Sequence, residues 1–143
     1  MSQPVMRERP ERPAGHTVLL PDGWQRPRGY ANGILARGEF VFVGGMIGWD
    51  ESQRFADGFV AQAKQALANI VAVLRKGGAA PEHVVRLTWY VVDRDEYLAS
   101  LKEIGEAYRG LMGKHYPAMS VVQVSALVES QARLEIEATA VVP

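Results

Sequence analysis

Cysteine is absent from the 143 residues. That excludes disulfides, thiolate nucleophiles and cysteine-ligated metals. Net charge is missing too: 16 Lys and Arg balance 16 Asp and Glu, and the pI is near 6.8. A nucleic-acid-binding surface needs a basic field, which this balance does not supply. No apolar run approaches the ~18 residues of a membrane span. The first residues lack the apolar centre of a signal peptide. The expectation is a cytoplasmic protein with neither membrane nor nucleic acid as partner. Histidine is scarce. His16, His83 and His115 share no HxH or HExxH spacing, so no metal site is expected, although His115 draws notice four residues before Met119. Ser120 and Ser125 have no neighbouring histidine–aspartate signature, which argues against a serine triad.

What is present suits one ordinary domain. Apolar residues make up 48% of the chain, enough for a packed core. Residues 1–16 hold three prolines and three arginines and read as a flexible lead-in; residues 17–143 read as a single domain. "TVLLPDGW" is a short strand ending in a turn. "YANGILARGEFVFVGGMI" reads as a hairpin around Arg37-Gly38. In "DGFVAQAKQALANIVAVLRKGGA" the apolar residues Phe59, Val60, Ala63, Ala66, Leu67, Ile70, Val71 and Leu74 recur at helical spacing. Asp57 is placed to cap that helix, and Gly77-Gly78 to stop it. "EHVVRLTWYVVD" is a β-branched and aromatic strand. "DEYLASLKEIGEAYRGLMG" is a second helix, with Tyr97, Leu101, Ile104, Tyr108 and Leu111 on one stripe. "SVVQVSAL" and "ARLEIEATAVV" are the last strands. The order predicts an α+β fold, one mixed sheet with two helices on one face.

The strands carry a further expectation. Val85, Leu87, Trp89 and Val91 would point one way; Val84, Thr88, Tyr90 and Val92 the other, with Arg86 the one charge among them. "FVFV" and "VVQVSAL" are also apolar on both sides. Two helices cover one face only, so another subunit is expected on the second.

Glu135 and Glu137 alternate with Leu134 and Ile136, which puts both carboxylates on one face of a strand. Such a face is either half-solvated or, at a subunit junction, a place where a carboxylate acts on a water as general acid or base. Gly44-Gly45 ends a strand. It is either a bulge or a backbone that lets a ligand approach; no lysine or GxGxxG spacing makes it a phosphate loop.

Taken in order, "GYANGILARGEFVFVGGMIG", "QAKQALANIVAVLRKGGA", "HVVRLTWYVVD", "YPAMSVVQVSAL" and "LEIEATAVV" resemble the reactive-intermediate deaminase family, also called Rid or YjgF-like, from about Gly29 to Val142. The resemblance implies a chorismate-mutase-like fold and a homotrimer. In it, three sheets form a central barrel and three clefts lie between subunits. It implies hydrolysis of small imines or enamines to a carbonyl compound and ammonia, with no cofactor or metal. Tyr30 matches the family's early tyrosine. Glu135 matches the glutamate that would hold or activate water. Gly45 matches the glycine after the first long strand, while the preceding serine is here Gly44. A helix asparagine falls at Lys102 or at Leu101. The usual "PAR-S" is "PAMS", so Met119 stands where an arginine would clamp the substrate carboxylate, next to Ser120. Methionine offers no donor. Met119 is thus either an apolar specificity residue or a core gap-filler. The expectation is an imine deaminase with altered substrate preference, or a trimeric small-molecule-binding protein that keeps the clefts but not the turnover.

Overall fold

The computed structural model describes residues 15–143; most of the lead-in lies outside them. Phe59–Lys76 forms α1, and its buried residues Phe59, Ala63, Ala66, Leu67, Ile70, Val71 and Leu74 repeat at three and four. Gly77 caps its end, and Ala79 N–H reaches back to the Leu74 carbonyl at 2.9 Å. Asp57 does not cap its start: Gly58 is the N-cap, and no side chain bonds there. Arg94–Ala99 (α2) and Leu101–Met112 (α3) are two helices, where the sequence suggested one. They part at Ser100, whose hydroxyl bonds back to the Glu96 carbonyl at 2.8 Å and competes with the helical ladder. The break leaves Leu101 exposed, while Ile104, Ala107, Tyr108 and Met112 form the buried stripe.

The strands are β1 Thr17–Leu19, β2 Gly33–Leu35, β3 Glu39–Ile47, β4 Val84–Val91, β5 Ala118–Gln123 and β6 Leu134–Val142. A four-stranded sheet runs β3-β6-β4-β5, antiparallel except for the parallel pair β4 and β5. The expected β2–β3 hairpin does not form. β2 pairs with β1 in a separate two-stranded ribbon, and β3 pairs with β6. The reason is length: nine residues of β3 find a nine-residue partner in β6, and three-residue β2 offers a third of that. Gly38, at φ 146°, turns the chain against the Val142 carbonyl, where a side chain has no room. β5 also stops at Gln123, so Val124 to Leu127 are not strand.

α1 and α3 cover one sheet face, and Leu87, Trp89, Val91, Leu134 and Ile136 meet them in one core. A register shift between Val84 and Arg86 turns Val84 inward, contrary to strict alternation. His16, counted with the lead-in, donates through Nε2 to the Val141 carbonyl at 2.8 Å. No described helix is long and apolar enough to cross a membrane.

Candidate functional site

The sheet face turned away from the helices carries the polar residues of alternating strands. On β4 these are Arg86, Thr88 and Tyr90; on β6, Glu135, Glu137 and Thr139. Cross-strand pairing sets Thr88 beside Glu137 and Tyr90 beside Glu135, and Ser120 of β5 beside Thr88. The face is therefore mixed rather than evenly apolar as expected. Its apolar part is concentrated in Phe40 and Phe42, 59% and 73% exposed and packed edge to face at 5.9 Å, and in Val122.

The two glutamates differ in what holds them. The Tyr90 hydroxyl donates to Glu137 Oε1 at 2.7 Å. That bond, more than anything else, holds the phenol above the usual tyrosine range. Glu135 has no hydrogen-bond donor among the described residues; it lies against Gly45. A Cβ at Gly45 would fall 2.7 Å from Glu135 Cδ and 3.0 Å from Cγ. Gly44-Gly45 is a bulge: two residues between Val43 and Met46 oppose one, Glu137, between Ala138 and Ile136. The bulge reading holds, and the close approach at Gly45 is that of the Glu135 side chain. Gly44 has open space where its side chain would be. With Phe42, Arg86, Thr88, Glu137 and Thr139 it lines a hollow of about 350 Å³.

The other candidates lie elsewhere. Met119 pairs with Leu87 and packs against the core, so it is on the helix side of the sheet, opposite to Glu135. Ser120 is on the Glu135 side, its Oγ accepting from Arg86 at 3.4 Å. Tyr30 is exposed and follows the edge strand: its neighbour Ala31 bridges to Ala118 and donates to the Pro117 carbonyl at 2.9 Å. Lys102 is exposed on the first turn of α3. Arg86 is opposite Ala118 and Tyr90 is opposite Glu135. Tyr30 and Glu135 are thus separated by four residues along the strands and three strand spacings across, from β6 over β4 and β5 to the segment beyond, ~20 Å. One subunit does not bring Tyr30, Met119 and Glu135 together. Sequence reasoning missed the Tyr90–Glu137 bond; its signal was the shared face of two alternating strands, legible only once their pairing is known.

A mixed sheet backed by helices on one face is a fold shared with Rid and YjgF structures. The chain belongs to the Ribonuc_L-PSP family, described as Endoribonuclease L-PSP, which it matches over residues 25–142. It is 32% identical over 103 residues to the human 2-iminobutanoate/2-iminopropanoate deaminase, covering 71% of this chain and 72% of that protein. It is 30% identical to a RutC family protein of Pyrococcus abyssi, over 86% of this chain and 94% of that one. Among solved structures, a Rid family protein of unknown function from Yersinia pestis superposes with a TM-score of 0.79 at 31% identity, over 90% of this chain and 99% of that one. The E. coli YjgF gene product superposes with a TM-score of 0.63 at 28% identity, over 78% and 87%.

Proposed function

We propose that the chain hydrolyses a small imine or enamine to a carbonyl compound and ammonia, as a homotrimer whose sites lie between subunits. The observation that carries this reading is Glu135, a carboxylate seated on glycine backbone with no described donor, beside a glutamate already engaged by Tyr90. Water adds to the imine carbon: the C–O bond forms, the C=N pair moves to nitrogen, and Glu135 takes the proton. That proton passes to nitrogen. The carbinolamine then gives its hydroxyl proton to Glu135 as the carbonyl forms. The same proton returns to the departing nitrogen, and ammonia leaves. Tyr30 and Met119, at the β5 edge, would meet Glu135 of an adjacent subunit, and Met119 would make that wall apolar in place of a carboxylate clamp. Trimer association would also cover Phe40 and Phe42.

The endoribonuclease description fits less well, because the face that bears Glu135 and Glu137 carries one guanidinium, Arg86, among its described residues. The position of Met119 against the core favours a second reading, a trimeric binding or regulatory protein without turnover. An imine-decay assay with acidic and neutral imines separates the two. Glu135→Gln is expected to lose ~10²–10⁴-fold in rate; decay at the buffer rate for every imine in wild type would leave the binding protein. Light scattering should give about 47 kDa, three times the 15.7 kDa chain. A stable monomer at micromolar concentration would remove the cleft altogether.

A further inference from the structure

The three histidines of the chain share no spacing, yet the fold gathers all of them around one cavity of about 460 Å³, together with Lys114 and Glu82. His16 precedes β1, His83 closes the 3-10 turn Pro81–His83 that leads into β4, and His115 follows α3. We propose that this cavity is a second ligand site, and that it takes a small carboxylate with a compact apolar body.

The hydrogen bonds assign the donors. Ala80 N–H donates to His83 Nδ1 at 3.0 Å. That nitrogen carries the lone pair, so the neutral ring holds its proton on Nε2 and has it to give. His16 has spent its Nε2–H on the Val141 carbonyl. Lys114 is exposed and forms no salt bridge among the described residues. An ammonium and a ring N–H are a donor pair for a carboxylate. The Glu82 carboxylate on the same lining disfavours a head of higher negative charge. Val18, Ile34 and Tyr116 supply apolar wall for a short carbon chain. A metal ion is the poorer occupant, since no trio of His, Asp or Glu is gathered to hold one among the described residues. The site is separate from Glu135: Val84, on its wall, pairs with Ala140, whereas Glu135 pairs with Tyr90, six residues and ~20 Å along β4.

Because the chain has three histidines, each imidazole gives its own resonance, and the test is a proton NMR titration at constant pH. Butanoate should shift the His83 and His115 signals saturably, and the neutral isostere butanamide should not. Lys114→Ala, an exposed change, should raise the butanoate Kd about tenfold. The proposal is overturned by the absence of a saturable shift with butanoate, by an equal response to butanamide, or by undiminished binding in Lys114→Ala. Inorganic phosphate binding in place of butanoate would also overturn it.

Discussion

Gly45→Ala should cripple turnover while leaving the fold intact. The new Cβ would be 2.7 Å from Glu135 Cδ. Ordinary carbon contact is ~3.5–4.0 Å, so the carboxylate must retreat by roughly 1 Å. Misplacement of a reacting group by that distance costs on the order of 10²-fold in rate. Folding should hardly notice. Gly45 is not among the glycines with positive φ, so alanine can adopt its backbone. The stabilisation of ~0.4–1 kcal/mol from a stiffer unfolded chain offsets ~0.5–1.5 kcal/mol for moving Glu135 off its rotamer. The melting temperature should therefore stay within about 3 °C of wild type. The measurement is kcat/KM on the best imine in wild type, Gly45→Ala, Glu135→Gln and the double variant. If Gly45→Ala acts only by displacing Glu135, the double variant is little slower than Glu135→Gln. A folded Gly45→Ala with wild-type kcat/KM refutes the reasoning; so does full additivity in the double variant.

Three other outcomes are expected. Met119→Arg should raise the ratio of kcat/KM for acidic over neutral imines by about 30-fold or more, with some loss of stability because Met119 packs against the core; an unchanged ratio ends its role in specificity. Gln62 is 3% exposed. It donates to the Gln131 and Ala56 carbonyls at 3.0 and 3.3 Å and accepts from Arg133 N–H at 2.9 Å. Gln62→Leu should thus lower the urea-unfolding free energy by ~2–4 kcal/mol, and a loss within error of zero contradicts the network. Burial holds the Tyr97 and Tyr108 phenols above the usual tyrosine range. The folded chain therefore keeps protons that the unfolded chain releases near pH ~10. Stability from these groups is present below that pH and falls as pH rises through it. Urea midpoints across the alkaline range check the sign, and a rise there would reverse the argument.

Local periodicity made the long elements legible. α1 shows its buried stripe in the spacing of its own residues, and β6 shows its two faces in "LEIEATAVV". What the sequence hid was pairing. The "GIL" and "EFVFV" runs flank a glycine and look like hairpin arms, but the partners of β3 are about a hundred residues away on β6. Ser100 splits a helix through one hydroxyl bond, which no hydrophobic spacing announces. The candidate site divided in the same way. Glu135 and Gly45 touch because β3 and β6 are neighbours. Met119 and Ser120, adjacent in sequence, face opposite sides of the sheet. The histidine cavity depends on three loops meeting, and nothing in their spacing encodes that.

The glycine bulge in β3 has a consequence for how this chain can change by inheritance. It shifts the inside–outside rhythm of the strand by one place, so that Val41 and Val43 before it and Met46 after it all meet the core. Substitutions at Gly44 meet open space and are open to drift. Loss of a single codon there is a different event. The strand would regain strict alternation with Met46 still facing the core, but a single glycine would then oppose Glu137 and the widened backbone on which Glu135 rests would be lost. Lineages of this chain should therefore vary in what stands at position 44 far more readily than in how many residues separate Val43 from Met46.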